Sequence, residues 1–423
     1  MKKVTVFGLI GFSLFEICRV YFIMPMPGSQ QMNSIDLAYF LHESRWLFRF
    51  LFLGMATWGL VKSSWNRKWV LGILLFLSAT IAYVFNFIMS ADAMFKPPYS
   101  KVMASPENNK VDSNRLVVGV EINGDARAYP IQFLGYHHFV YDTVGGQPVL
   151  VTYCTVCRTG RVFDPQIEGK VEQFRLVGMD HFNAMIEDQT TGSWWRQSTG
   201  EAIKGSRKGL KMKEIFCNQL SLKEWISQHP NSKIMQADKH SLAEYDENFD
   251  YENGNSRSTL TGTDTGSWKP KSWVVGVVVG KESVAFDWNE LKRKHILSEK
   301  LETTIVLLVL GDDNTHFVAF KIPEMKEVKL ENNRIVLDGK QFTVDGQLFK
   351  QDQEIQVKNK IQKHIEIEKV GVLKTGGELP NGGVLQANGK SVNSALRLEK
   401  VQAYQEFWHS WKTFHPETKM AGK

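Results

Sequence analysis

Two thiols three residues apart, Cys154 and Cys157, with Arg158 and Arg161 beside them, form the most reactive combination of side chains in this chain. The spacing leaves three chemistries open. In a thiol–disulfide redox centre the thiolate is the nucleophile, and nearby cations enrich it. Cys154 would then attack, Cys157 would resolve, and Arg158 would tune their pKa. In a metal centre the two thiolates are half of a ligand set that suits zinc or copper. The remaining ligands would come from His137, His181, His138 or Cys217. The third possibility is an inert structural disulfide. Covalent haem is excluded, because Arg158 stands where Cys-x-x-Cys-His needs histidine. A thioredoxin-like helix start is disfavoured, because the next residues, Arg158-Thr-Gly-Arg-Val-Phe163, carry a glycine and β-branched side chains.

Around the pair, His137, Asp142, Trp195 and Gln197 are the candidate binding residues. Each has a bland alternative. His137 is read first as an exposed histidine, since a lone His has many bland uses. The segment from Asp188 to Gly200 is either a polar cleft or a turn whose tryptophans cap a core. No Ser-His-Asp order, His-Glu-x-x-His or phosphate loop is present. The net charge of +6 is spread along the chain with no basic block interleaved with aromatics, which argues against a nucleic-acid partner. Four cysteines in 423 residues are too few for a disulfide scaffold.

The elements that position the pair read as β. Val149–Tyr153 is a β-branched run entering the Cys turn, and Arg161–Phe163 leaves it. Before them, Leu116–Ile122 and Ala126–Pro130 flank Asn123-Gly124, a hairpin signal. Leu222–Gln228 reads as a helix stopped by His229-Pro230. The same text returns later. Trp273–Val279 repeats Leu116–Ile122, Thr304–Leu310 repeats the run into the Cys turn, and Phe317–Ile322 repeats the run out of it. At one constant offset Val117-Val-Gly-Val falls on Val274-Val-Gly-Val, His138 on His295 and Phe163 on Phe320. Trp225 and His229-Pro230 match Trp411 and His415-Pro416. An internal duplication is expected. Cys154 and Cys157 fall on Gly311 and Asn314, so the second copy lacks the thiols. The fold does not need them, which favours a functional role for the pair.

Residues 1–90 differ from the rest. Val4–Met24, Trp46–Val61 and Trp69–Met89 are apolar runs approaching the ~20 residues that a spanning helix needs. Glu16 and Arg19, one helical turn apart, are expected to pair. Lys2, Lys3, Lys62, Arg67 and Lys68 flank the runs on one side, and the loop from Pro25 to Ser44 has neither Lys nor Arg until Arg45. The positive-inside rule therefore predicts a cytoplasmic N-terminus, with residues 91–423 outside. The expected architecture is a three-helix membrane anchor followed by a mainly β (α+β) soluble region of two homologous lobes. Residues 1–90 form the anchor and 91–111 a linker. Lobe one is 112–237, a polar linker is 238–268, and lobe two is 269–423.

Val118-Gly-Val-Glu-Ile-Asn-Gly-Asp-Ala-Arg-Ala-Tyr-Pro130, Asp142–Cys157, Asp188–Gln197 and the two His-Pro endings resemble a bacterial family, the domain of unknown function 3179. Members usually carry Cys-Pro-Leu-Cys where this chain has Cys154-Thr-Val-Cys157. They usually have His-Glu and Asn-Asp where it has His137-His138 and Tyr141-Asp142. The resemblance sharpens the fold grouping and implies no reaction; the apolar runs and charge bias give the expected bacterial inner-membrane setting, and the Cys pair an envelope redox or metal partner.

Overall fold

A computed structural model describes residues 1–322, 328–349 and 397–423. The stretches of the expected second lobe at 323–327 and 350–396 lie outside the described residues. The chain forms two compact units. The first comprises Met1–Val274 and Tyr404–Pro416, the second Val275–Ala403 and Glu417–Lys423.

The first unit begins with helices α1 (Lys2–Tyr21), α2 (Ile35–Glu43), α3 (Arg45–Val61) and α4 (Lys68–Phe87). Two of them, α1 and α4, are long and apolar enough to cross a membrane. Helix α3 has 17 residues and packs closely on α1. A Cβ on Gly8 would stand 2.6 Å from the Ala56 nitrogen, and one on Gly59 would stand 2.7 Å from the Thr5 nitrogen. Small residues thus let the two backbones approach, the usual device where lipid removes the hydrophobic drive for association. Glu16 and Arg19 do pair, at 3.4 Å. Arg49 of α3 forks onto both Glu16 oxygens at 2.6 and 2.9 Å, and Asn86 of α4 donates to Glu16 at 2.8 Å. One carboxylate therefore ties three helices together.

The loop after α1 lies against the β-rich part of the same unit. That part comprises β1 (Leu116–Ile122), β2 (Asp125–Pro130), α5 (Ile131–His137), β3 (Phe139–Val144), β4 (Gln147–Cys154) and β5 (Thr159–Phe163). It continues with β6 (Phe174–Asp180), β7 (Asn183–Asp188), β8 (Trp194–Arg196), β9 (Ala202–Lys204), β10 (Glu214–Ile215), β11 (Asn218–Ser221), α6 (Leu222–Gln228) and β12 (Lys233–Met235). Three sheets result. One runs β12-β2-β1-β11 with Met103–Ala104 at its edge. The second is β9-β8-β7-β6, and the third β10-β5-β4-β3. The Met179 N–H donates to the Ile23 carbonyl at 2.7 Å, and His42 meets Glu187 at 2.9 Å. A Cβ on Gly178 would stand 2.3 Å from the Ile23 oxygen, so only glycine admits this crossing.

Strand β4 shows why its sequence is apolar without alternation. Val149, Val151 and Tyr153 belong to one buried cluster, whereas Leu150 and Cys154 belong to another. The strand is covered on both faces. Its period of two places Cys154 among Phe163, Trp195 and Ile186. Each large apolar side chain buried there contributes on the order of 1.5–3 kcal/mol. The segments read as linkers are folded onto this unit. Met103 pairs with Met235, Tyr245 is buried beside Phe133, and buried Glu252 meets Arg115 at 3.1 Å.

The second unit contains β13 (Trp273–Val279, beginning at the boundary), β14 (Glu282–Asp287), α7 (Trp288–Lys294), β15 (Ile296–Lys300), β16 (Ile305–Leu310) and β17 (Phe317–Ile322). A three-stranded meander, β18 (Val328–Glu331), β19 (Arg334–Leu337) and β20 (Lys340–Thr343), follows. The order from β13 to β17 is the order from β1 to β5. His138 and His295 both follow a seven-residue helix with φ of 61° and 58°. Their Nδ1 atoms lie 3.1 and 3.2 Å from the carbonyls of Tyr153 and Leu310.

The C-terminal strand β21 (Ala403–Phe407) and helix α8 (Trp408–Phe414) mirror β11 and α6. His229 and His415 stack on Trp225 and Trp411 with ring centroids 4.0 and 4.1 Å apart. Yet Tyr404–Pro416 belongs to the first unit, and its Phe407 N–H donates to the Cys157 carbonyl at 2.8 Å.

Candidate functional site

The two thiols close the turn between β4 and β5 and are fully buried. Both sulfurs converge on a single acceptor, the Phe182 carbonyl, at 3.6 Å from Cys154 Sγ and 3.3 Å from Cys157 Sγ. Phe182 sits in the two-residue turn between β6 and β7, where Asp180 pairs with Asn183. His181 and Phe182 have φ of 50° and 67°. Such primed turns normally use Asn-Gly, and a bulky pair held there stores on the order of 1 kcal/mol or more per residue. The turn is clamped from outside. The Phe182 N–H donates to Gln30 Oε1 at 3.1 Å, and His181 lies between Asp180 and Asn33 at 2.6 and 3.0 Å.

Beneath the turn, Asn183 Nδ2 donates to Cys157 Sγ at 3.3 Å and to Gln197 Oε1 at 3.0 Å. Gln197 Nε2 in turn donates to Thr152 Oγ1 at 3.0 Å. On the other side, Ser410 lies close enough to Cys157 to pull its thiol pKa down, and the Ser410 hydroxyl donates to Glu406. Arg161 faces the same carboxylate at 3.5 Å, stacks on the Tyr404 ring at 3.6 Å and also pairs with Glu214.

The environment splits the two thiols. Burial pushes Cys154 up, but hydrogen bonds from the Cys157 thiol and from the backbone at Ala184 and Cys157 outweigh it. Its pKa therefore lies below that of an ordinary thiol. Burial pushes Cys157 up too, and its bond to Cys154 and the charges of Cys154 and Glu406 push it further. Burial also raises the Glu406 carboxyl above its ordinary range, against the opposing pull of Arg161 and Ser410.

Of the residues picked out from sequence, Cys154, Cys157, Trp195 and Gln197 are brought together, Trp195 in the cluster that packs around the thiols. Arg158 adjoins the pair in sequence, and its guanidinium is engaged away from the sulfurs. Its guanidinium donates to the carbonyls of Tyr251 and Glu252 at 2.7 and 2.6 Å and lies 3.5 Å from the Trp273 ring centroid. Asp142 is held by Lys101, Arg127 and Tyr129 at 2.5, 2.7 and 2.8 Å. It pairs with Val149, which at about 3.3 Å per residue is roughly 16 Å along β4 from Cys154. His137 spends one ring nitrogen on the Lys96 carbonyl at 2.6 Å and the other on the Tyr245 hydroxyl at 2.7 Å. His181 is near the pair through its neighbour Phe182, but its ring points to Asp180 and Asn33. Among the described residues no three His, Cys, Asp or Glu side chains are gathered as a metal site needs. The donor set at the turn is two thiolates, short of zinc's usual four.

Asn183, Phe182, Ser410 and Glu406 were not legible as site residues. Asn183 and Phe182 lie 25 or more positions after the thiols, and Glu406 lies 245 positions from Arg161.

The fold and the site together define a mainly β region with a buried dithiol, joined to an apolar helical N-terminal region. The chain belongs to the family described as protein of unknown function DUF3179, whose model matches residues 93–418. No curated protein and no solved structure matches it.

Proposed function

We propose that this is a membrane-anchored bacterial envelope protein whose Cys154–Cys157 pair is a thiol–disulfide redox centre. The observation that carries this reading is the convergence of both sulfurs on the Phe182 carbonyl, at 3.6 and 3.3 Å. The two thiols also hydrogen-bond to each other, which sets them side by side.

The chemistry follows from the split between the thiols. The Cys154 thiolate attacks one sulfur of a substrate disulfide. The substrate S–S bond breaks, one substrate thiolate leaves, and a mixed disulfide joins Cys154 to the other half. Cys157 then loses its proton through Ser410 to Glu406, and its thiolate attacks Cys154 Sγ. The second substrate thiolate leaves with the electron pair of the mixed disulfide. The protein ends as the Cys154–Cys157 disulfide, and two electrons have passed to the substrate. Run backwards, the same steps oxidise a substrate dithiol.

The setting is part of the proposal. Helices α1, α3 and α4 are read as three crossings with the N-terminus in the cytoplasm and residues 91–423 outside, where thiols oxidise. The absence of basic residues from the Pro25–Ser44 loop supports this, as do that loop's bonds to β6 and β7. Loop and β-rich region share one side. The soluble region is read as an old duplication. The repeated element order and the matched His138/His295 and His229/His415 geometries support it, with the thiols confined to the first copy.

The test is a redox titration of the full chain in detergent. Alkylated Cys154 and Cys157 peptides are counted by mass spectrometry across a series of thiol/disulfide buffers, with bound zinc and copper measured alongside. A reversible two-electron couple, abolished in Cys154→Ser, is expected. A disulfide that reductant opens only after unfolding would sink the reading in favour of a structural bridge. Stoichiometric metal lost in Cys154→Ser would sink it in favour of a metal centre.

A further inference from the structure

The thiols are sealed, so a substrate needs a way in. Outside the His181–Phe182 turn lies a cavity of about 420 Å³, lined by residues of the first unit only. Its inner wall is made by Val156, the residue between the two cysteines, and by Phe182, whose carbonyl meets both sulfurs. The Phe182 ring packs edge-on against His409, centroids 5.8 Å apart. Leu260 and Pro270 supply apolar surface, and Gln30, Gln31 and Thr259 supply neutral hydrogen-bonding groups. Lys271 is the cation of the lining, and the lining contains no carboxylate. Its ammonium meets the Thr259 carbonyl, and Asp264 lies close enough to offset part of its charge. Burial holds the imidazole of His409 neutral.

Resting on the redox reading above, we propose that this cavity is the substrate site of the thiol pair. It takes a small disulfide with a peptide-like body and a carboxylate, and the His181–Phe182 turn is its gate. The volume lies within the range of small-ligand pockets and suits a ligand of dipeptide to tripeptide size. The amide-bearing glutamines and threonine fit its backbone, the apolar wall fits its methylenes, and Lys271 fits its carboxylate. The turn is the natural moving part, because its two left-handed non-glycine residues carry backbone strain that the clamps of Gln30, Asp180 and Asn33 help to hold. Releasing Phe182 from Gln30 uncovers Cys154 and Cys157 together. Attack then follows the balanced steps given above, with the small disulfide as the two-electron acceptor.

The experiment compares two probes on the reduced full chain in detergent. One is the dianionic 5,5′-dithiobis(2-nitrobenzoate), the other the neutral 4,4′-dithiodipyridine, each followed by its released chromophore. The signal of the Cys154→Ser/Cys157→Ser protein is subtracted to remove Cys18 and Cys217. Wild-type protein is expected to react with both. Lys271→Met should lower the rate ratio of the anionic to the neutral probe about three- to tenfold, less at high salt. Phe182→Gly, which suits the backbone of the turn, should raise both rates together. An unchanged ratio in Lys271→Met would overturn the site while leaving the redox pair standing. Rates in Phe182→Gly no higher than wild type would overturn the gate. If the folded wild-type pair reacts with neither probe but does so once unfolded, the redox reading itself falls.

Discussion

Replacing Glu406 with glutamine separates the two halves of the proposed exchange. Glu406 is buried and accepts from Ser410, which lies close to Cys157. It is therefore placed to accept the Cys157 proton in the resolving step, while its charge also pushes the Cys154 thiol up and so opposes the first attack. A positioned base contributes about 10²–10⁴-fold, so resolution in Glu406→Gln should slow by that factor, or about 2.7–5.4 kcal/mol of barrier. The mixed disulfide on Cys154 should then accumulate. Quenching the reaction with acid at intervals and weighing the protein by mass spectrometry counts that species directly. The pH dependence carries a sign. The Glu406 carboxyl is raised above its ordinary range, so below that raised value it is protonated and accepts no proton. Wild-type resolution should therefore rise with pH through the Glu406 titration. In Glu406→Gln that limb should vanish, leaving a rise only through the thiol's own range. Ser410→Ala should slow resolution less, since water can take the place of its hydroxyl. Formation of the mixed disulfide should not slow in either variant, and in Glu406→Gln, where a charge that raises Cys154 is gone, it should if anything quicken. A mixed disulfide that resolves in Glu406→Gln at the wild-type rate, with the wild-type pH profile, would refute the relay.

Three further outcomes are expected. Arg158→Ala leaves the Tyr251 and Glu252 carbonyls without their donor, a loss of about 3 kcal/mol and a Tm lower by ~5–10 °C. The Cys154 titration should not move, and a shift seen by thiolate absorbance would mean that Arg158 does act on the sulfurs. Glu187→Ala strips the acceptor from His42, Arg175 and Trp194 and should cost about 3–5 kcal/mol, read as faster hydrogen exchange through Ile23–Glu43. Burial raises the Glu187 carboxyl, but those partners pull it down to about 2. Its stabilisation is thus complete above the ordinary carboxylate range and is lost as pH falls toward about 2, and exchange should rise over that window. A periplasm-dependent reporter fused after Lys423 should be active, and activity only of a cytoplasm-dependent one would reverse the proposed orientation.

How much of this was legible in the chain depended on range. The strands Leu116–Ile122, Trp273–Val279 and Phe317–Ile322 and the helix Leu222–Gln228 fall where pattern and turn residues put them. Their signals lie within the element itself. Cys154-x-x-Cys157 was legible for the same reason. The partners that give the pair its properties arrive from three other places. The β6–β7 turn brings Phe182 and Asn183, the loop after α1 brings Gln30, and the C-terminal segment brings Glu406 and Ser410. At Arg158 sequence proximity did not reveal where the side chain goes. With φ at 59° the backbone turns sharply, and its side chain leaves the sulfurs for two carbonyls beyond residue 250. Arg161, three residues on, reaches Glu406 instead. The repeat also concealed something. The ending around Trp411 reads as the close of a second lobe, because it matches the close of the first. Its strand nevertheless delivers the Phe407 N–H to the Cys157 carbonyl and Glu406 to the Ser410 hydroxyl. Under the proposed duplication, such an end keeps its fold through the Trp–His stack while its polar edge meets the first copy's thiols. On the proposed duplication and exchange, the thiol pair of one copy depends on a base carried by a segment that matches the end of that same copy.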